Sequence, residues 1–544
     1  MNFSADYHRW HETITSVGDE AANAPATAAQ AILSIAAEVN SSELNSDEKK
    51  YLQFMCSSAI LNCAFDLRDV TLIGHGRELA EQALEASAKD EPFWFQCSYN
   101  IANAMLETCD IGLPRSKDPE IWVTQIIENR RAHREDLRKA RSLFSEIVSS
   151  DISDPKTQSA AACNLANVLD HSGRWAEAYD YYLRALESDP NNGNAAGNLA
   201  QLLSTRIQTG TGQLGHMAAV YDKYLGMAKS LREGTLDFAG KDAADKWDAL
   251  KLTESQGHLA HGLDDESDEY RHWVAAYRLA LSPAVEGLGT EDPHWDSAVI
   301  EMLYGETAAD VTPAILAEMN VLKSDFLVSR RLAFEGITQV AEGPEQKPED
   351  TGYYVETLDY SLYGIQYSKL LLAQRSALDV LDKTAVVANE YFNIGDRPDR
   401  VSFRKFWAES DGTVRSGLLK SSARDLPAFA ISELAFDMEE EGMYATSQAL
   451  RNAGTHRIVH AAFLDATGVT VDSRSRIGIF DLVDSTILAL QVTRSAFLYL
   501  IDLVAAWNHP DDHNGTYLPL SSFEYMQFPD LADEDEDEAA DAPE

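Results

Sequence analysis

A 34-residue period constrains the fold of this chain more than any other feature of its sequence. The triplet Asn164-Leu165-Ala166 recurs as Asn198-Leu199-Ala200, 34 positions later. Between the triplets, small residues stand where two antiparallel helices would touch, Gly173 suits a turn and Pro190 stops a helix. Since an isolated helical hairpin cannot cover its apolar face, several such hairpins must stack into a curved solenoid.

Weaker copies of the same unit flank the strong one. Residues 50–67 and 75–88 predict one more hairpin, and 214–230 predicts the second helix of the downstream repeat. Asn100-Ile101-Ala102 opens a further hairpin, whose second helix is displaced by an insertion containing three arginines within 130–134. The first half of the chain is therefore expected to be an array of helical repeats.

The strong repeat, 161–194, resembles the tetratricopeptide repeat (TPR) position for position. This resemblance implies an N-terminal TPR-like α-solenoid, 1–240, whose concave face receives a peptide or protein partner. The alternative is an array that only packs on the second half of the chain.

The second half also predicts helices, but without the period. An irregular helical connector, 241–345, precedes a helical bundle, 346–528, and a disordered acidic tail, 529–544. The helices expected in the bundle are 354–392, 427–438, 443–465 and 477–506. The fold class is thus all-α, a solenoid followed by a bundle.

The formal net charge of −43 limits the ligands that this chain can bind. Nine acids within 530–544 leave about −34 for the rest of the chain. Such a field repels polyanions, so any RNA-binding site must be local. Adaptation to a salty cytoplasm is an alternative origin of the acidity.

Cysteine content and hydropathy indicate a cytoplasmic protein. The five cysteines lack the spacing of a zinc or redox site, and they are expected to be buried thiols in a reducing compartment. Residues 1–30 show no signal-peptide pattern. The most apolar stretch, 485–507, contains Arg494 and Asp502 and is interpreted as a buried helix, with no membrane partner expected.

The segment that could carry chemistry is Arg451-Asn452-Ala453-Gly454-Thr455-His456. Arginine, four residues and histidine form the signature of the HEPN domain, many of whose members are endoribonucleases. The context is similar as well: a long helix ends in Asn389-Glu390-Tyr391-Phe392, and Tyr270-Arg271-His272-Trp273 resembles the segment that joins repeats to HEPN in bacterial or archaeal fusion proteins. The chain therefore resembles a TPR protein fused to a C-terminal HEPN-type bundle.

The resemblance implies a metal-independent endoribonuclease without cofactors, in which Arg451 and His456 are catalytic. His456 can remove or donate a proton near neutral pH, and Arg451 can hold phosphate oxygens. Five positions apart on a helix, they differ by about 140° in direction. HEPN domains solve this by dimerising, so a homodimer is implied. Asn452, His460 and Arg457 are supporting candidates, with Asn452 and His460 on the helix face of His456.

A second candidate surface is a basic–aromatic run. Arg397, Arg400, Arg404 and Lys405 could pair with RNA phosphates, while the interleaved aromatic residues stack a base. A solvated loop is the equal alternative. Two histidine pairs, His258 with His261 and His509 with His513, match metal-binding patterns only weakly, and no metal site is expected.

Three functions stay open from the sequence. The first is a HEPN endoribonuclease regulated through its TPR array and acting as a toxin or in antiviral defence. The second is a catalytically inactive HEPN protein that binds RNA or a nucleotide, which is favoured by Thr455 at a position where an acid is expected. The third is a pure scaffold. The tail acids, 533–538, either solubilise the protein or occupy its RNA cleft as a mimic.

Overall fold

The computed structural model describes most of the chain. The described residues are 3–21, 23–113, 116, 118–209, 214–254, 267–282, 295–300, 302–304, 314–341, 352–358, 360–420, 424–445, 459–463, 476–508 and 517–519.

The first half folds into helices that follow one another in antiparallel hairpins. In chain order they are α1 (Ala5–Glu20), α2 (Pro25–Ser41), α3 (Ser46–Leu67), α4 (Val70–Glu85), α5 (Pro92–Ile111), α6 (Pro119–Ala132), α7 (Arg134–Val148), α8 (Pro155–Asp170), α9 (Trp175–Ser188), α10 (Gly193–Gln208), α11 (Leu214–Ser230) and α12 (Arg232–Ala249). The main pairings are α3 with α4, α5 with α7, α8 with α9 and α10 with α11. These pairings confirm the solenoid. Helix α6 is the insertion, which separates α5 from its partner α7 in the sequence.

The hairpin of α8 and α9 shows how local sequence sets these elements. The Asp154 side chain accepts the backbone N–H of Thr157 and caps the start of α8. The turn contains Gly173, whose φ is +76°, a left-handed conformation that favours glycine. A Cβ at Gly173 would also lie 2.7 Å from Cγ of Leu426. The turn therefore needs glycine both for its backbone and for packing against the second half.

The described part of the second half contains three long helices, three short ones and some very short strands. In chain order the elements are α13 (Glu269–Ala276), β1 (Met302–Tyr304), α14 (Ala314–Ala341), β2 (Ser361–Leu362), α15 (Ile365–Tyr391), a 3₁₀ turn (Pro398–Arg400), α16 (Phe403–Phe406), a 3₁₀ turn (Ser416–Leu418), α17 (Leu426–Phe436), β3 (His460–Ala462), β4 (Arg476–Gly478), α18 (Ile479–Trp507) and β5 (Tyr517–Pro519). The long helices α14, α15 and α18 pack on one another, and α17 packs on α18. This arrangement confirms the helical bundle.

The strands correct two details of the sequence analysis. β1 pairs antiparallel with β5, while β3 pairs antiparallel with β2 and parallel with β4. The helix expected over 443–465 is therefore wrong at 460–462, where β3 has a neighbour on each side. The helix expected from 354 begins only at Ile365, after Gly364 with a φ of 142°. No described strand exceeds three residues, and the all-α class is confirmed.

One apolar core joins the two halves. The largest buried cluster includes Phe144, Leu165 and Tyr182 of the repeats together with Leu378, Ile431 and Leu500 of the bundle. A separate, smaller cluster covers α1 to α3, with Ile14 and Ile32 among its members. The repeats from α5 onward and the bundle therefore share a core.

Helix α18 lies at the centre of the second half. It is the one helix among the described residues that is long and apolar enough to cross a membrane, and 78% of its most apolar window is buried inside the protein. Two charged residues in its interior are paired: Arg494 donates to the Ala280 carbonyl and pairs with Asp180 of α9, and Asp502 accepts from Arg206 of α10. These contacts are those of a core helix.

Candidate active site and the turn that leads into it

The predicted catalytic segment lies between two well-defined flanks. Residues 446–458, which include Arg451, Asn452, His456 and Arg457, lie outside the described residues. The chain before them ends in a turn, and the chain after them enters β3.

The downstream flank places His460 in a strand. Cα pairing along the parallel ladder sets His460 opposite Arg476, while Ala461 and Ala462 are buried. His460 therefore does not share a helix face with His456, and that prediction is wrong because the helix cannot continue through β3. In-register neighbours on adjacent strands point to the same face, so Arg476 lies beside His460. Arg476 could not be placed beside His460 from the sequence, because no local motif shows that β4 pairs with β3.

The upstream flank is a tight turn, residues 437–445, here called the pre-motif turn. The backbone N–H of Tyr444 donates to the Asp437 carbonyl over 2.9 Å and closes the turn. Glu441 has a φ of +69°, and a Cβ at Gly442 would lie only 2.2 Å from the Asp437 carbonyl oxygen. The turn therefore fixes the direction in which the chain leaves α17.

A buried ion cluster anchors the start of this turn to the repeats. Asp437 accepts two hydrogen bonds from Arg141, each of 2.8 Å, and another from Arg174. Glu433, one helical turn earlier, accepts from Arg134 at 2.7 Å and from Arg141 at 3.2 Å. Burial alone would raise the pKa of Asp437, but the two guanidinium groups outweigh it, and the pKa is lowered. Asp437 is thus a stable buried anion.

A second cluster anchors the end of the turn. The Glu177 carboxylate accepts from Arg174 at 2.6 and 2.8 Å, from the Tyr444 hydroxyl at 2.5 Å and from the Tyr499 hydroxyl at 3.0 Å. Burial first, and then the Glu177 charge, raise the pKa of both tyrosines well above its usual value. Both phenols therefore remain protonated donors. One carboxylate of α9 holds the pre-motif turn and α18 together.

Sequence reasoning missed these carboxylates. Their partners lie hundreds of positions away, for example 296 residues between Arg141 and Asp437. A signal was nevertheless present: Glu433 interrupts the otherwise apolar α17, and a carboxylate in such a run is expected to be paired.

Two known families match parts of the chain. The tetratricopeptide repeat family matches residues 159–192, which are α8, α9 and their turn. The LA2681-like HEPN family matches residues 307–506, from before α14 to the end of α18. The chain is a tetratricopeptide repeat protein fused to an LA2681-like HEPN domain. No curated protein matches the chain.

The HEPN match includes the pre-motif turn and the Arg451–His456 segment. It also includes α14, which lies in the range expected for the connector. The division into 1–240, 241–345, 346–528 and 529–544 remains a prediction.

Two further aspartates form polar contacts where the TPR array meets the HEPN domain. Asp502 of α18 accepts from the Trp175 indole at 2.8 Å and from Arg206 at 2.8 Å. Asp180 of α9 pairs with Arg278 of the connector and Arg494 of α18. The HEPN domain is thus seated on helices of several repeats.

The basic–aromatic run is only partly as expected. Phe403, Phe406 and Trp407 are buried, so their predicted role in stacking an RNA base is wrong. The cations lie further out: Arg397, Arg400 and Lys405 are exposed, and Arg404 is half-buried. Arg397 forms a salt bridge with Asp399. RNA binding by these four cations remains a prediction.

No group of three or more His, Cys, Asp or Glu side chains is arranged to hold a metal ion within the described part of the chain. The pairs His258 with His261 and His509 with His513 lie outside the described residues.

Proposed function

We propose that this protein is a metal-independent endoribonuclease regulated through its TPR array. The two family matches support an RNase-type or binding effector on a TPR scaffold. The observation that carries the finer proposal is the Arg451–His456 pair inside the HEPN match. Cytoplasmic toxin or antiviral action is the biological role that we propose for it.

In this proposal the residues divide the work of RNA cleavage. His456 takes the proton of the 2′-hydroxyl or gives one to the leaving oxygen, and Arg451 neutralises charge that develops on the phosphate. Asn452 and Arg457 support these groups. The cations Arg397, Arg400, Arg404 and Lys405 would guide RNA locally, since the net charge of −43 repels it elsewhere.

We further propose that two copies pair through the HEPN domain. Large aromatic side chains are exposed on residues in or next to the segments that form the sheet of β2, β3 and β4: Tyr354, Tyr360, Tyr363, Phe463 and Phe480. A cluster of exposed aromatic side chains is typical of an interface. Pairing there would bring the two Arg451–His456 segments towards each other.

The test is cleavage of labelled RNA by the purified protein in the presence of EDTA. We expect cleavage by the wild type and at least a hundredfold loss in Arg451→Ala and in His456→Ala, on the order of what one general acid–base group contributes. The matched control is His75→Ala, an exposed histidine in the repeats that follows Arg68 in a similar pattern. Equal losses in all three variants, or no cleavage by the wild type, contradict the proposal.

The second candidate is a HEPN domain that binds RNA without cutting it. Thr455, which replaces the acid expected before His456, favours it. RNA binding that is weakened by Arg451→Ala, with no cleavage under any condition, would support this candidate. If the protein neither binds nor cleaves RNA, the scaffold function is the one that remains.

A further inference from the structure

The pre-motif turn is held mainly by side chains of the TPR array. Arg138 donates to the Glu440 carbonyl at 3.0 Å, and Ser142 donates to the Glu441 carbonyl at 2.8 Å. Both donors lie on α7. The same helix supplies Arg141 to Asp437, as described above. One repeat helix therefore binds the beginning and the middle of the turn.

The end of the turn is held by a different repeat. Tyr444 donates to Glu177 on α9, and Arg174, at the N-terminus of α9, bridges Glu177 and Asp437. The turn thus spans α7 and α9, and its shape depends on how those two helices lie relative to each other.

We infer that Glu177 is a positioning residue for the HEPN site, coupling the TPR array to RNA cleavage through Tyr444. Tyr444 stands seven positions before Arg451, and among the described residues the Glu177–Tyr444 hydrogen bond is the last side-chain hydrogen bond of this turn before the motif. A ligand on the array that shifts α7 against α9 must move this turn, and so changes cleavage. This inference rests on the proposed endoribonuclease function.

The chain offers a matched pair of variants for the test. Tyr444 and Tyr499 are both buried and donate to the same carboxylate, but Tyr499 lies within α18 and is not part of the turn that precedes the motif. Each substitution to phenylalanine removes one hydroxyl. Tyr444→Phe loses one hydrogen bond to the Glu177 carboxylate, and Tyr499→Phe loses one to that carboxylate and one, of 3.4 Å, accepted from the Glu177 backbone N–H. Tyr499→Phe should therefore cost at least as much stability, whereas only Tyr444→Phe loosens the turn.

The experiment measures RNA cleavage and hydrogen exchange of the full chain. Tyr444→Phe is expected to lower kcat about tenfold, with KM unchanged, because a hydrogen bond to a charged group contributes at least that factor. It should also speed exchange in peptides that cover 437–445. Tyr499→Phe should leave kcat within about twofold and exchange there unchanged. Glu177→Gln removes the charge that Arg174 and Tyr444 both bind, so its loss of kcat should be at least as large as that of Tyr444→Phe.

The outcomes separate this inference from the proposed function. If the wild type cleaves RNA and both tyrosine variants retain the same kcat, the coupling is wrong although the enzyme is real. If the wild type does not cleave, the proposed function fails and exchange decides the structural part alone. Equal exchange in 437–445 for both variants would then overturn the positioning role of Glu177.

Discussion

At the scale of single residues, Asp437 has the most demanding environment in the interface. It is fully buried, and its two arginine partners are buried with it. Removing one member of such a cluster leaves the others with uncompensated charge. We expect Asp437→Asn to lower the free energy of unfolding by about 3 kcal/mol at pH 7, measured by urea denaturation. Asp399→Asn, which breaks the exposed pair with Arg397, should cost less than about 1 kcal/mol.

The same carboxylate predicts a pH dependence. Its pKa is lower in the folded protein than in the unfolded chain, so the folded state binds the proton more weakly. Its contribution to stability is therefore complete above about pH 4, the usual range of an aspartate. It is lost as the pH falls through the lowered value. The stability difference between wild type and Asp437→Asn should narrow over that acidic range, and a constant difference would contradict this assignment.

The cysteines give a further prediction at this scale. All five are free and buried, and burial raises the pKa of Cys56, Cys97 and Cys163 to about 12. Since the thiolate is the reactive form, the native protein should react slowly with a thiol reagent at pH 8. All five should react at once in denaturant. Rapid labelling of even one native thiol would show that its helix opens readily.

At the scale of elements, substitutions at two adjacent residues of the pre-motif turn are expected to have opposite effects on stability. Gly442→Ala places a methyl group against the Asp437 carbonyl and must open the turn, with an expected loss of about 2 kcal/mol. Glu441→Gly relieves a left-handed φ and should be neutral or stabilising by up to about 1 kcal/mol. Thermal unfolding measures both. Equal effects of the two substitutions would mean that this turn is not closed as described.

Elements were predictable from sequence wherever local pattern decides them. The repeat helices follow from a period that each hairpin carries within itself, and α11 was expected at its observed bounds. The strand at His460 was not predictable, because its partners begin at Ser361 and Arg476 and no local pattern reveals that pairing. The burial of Trp407 was likewise hidden, since arginines around an aromatic residue look the same on a surface loop and over a core.

The candidate site also has a part that could be predicted from the sequence and a part that could not. The Arg451–His456 motif could be found because it lies within six residues. The cluster of Glu177, Arg174 and Asp437 could not, because it exists only after the TPR array and the HEPN domain have packed together. Only Glu433, an acid within the mostly apolar α17, indicated that buried charge pairs lie nearby.

At the scale of the whole molecule, the shared core predicts cooperative unfolding. Apolar side chains of α5 to α10 and of α15 to α18 belong to one buried cluster, and the ion pairs between the halves are buried with it. Neither half can lose its structure without exposing the apolar and charged surface of the other. We expect the repeats from α5 onward and the HEPN domain to unfold in a single transition.

Urea denaturation, followed by tryptophan fluorescence and by circular dichroism, can test this. Trp175 reports on the array at its contact with α18, Trp407 reports on the HEPN domain, and far-ultraviolet circular dichroism reports on all helices. Single-tryptophan variants that retain one or the other should give coincident midpoints. The cluster of α1 to α3 is separate, so early loss of a small part of the helical signal is compatible with this expectation. Midpoints that differ between Trp175 and Trp407 would mean that the two halves unfold independently. The array could then not transmit a change in its own structure to Tyr444 through a shared core.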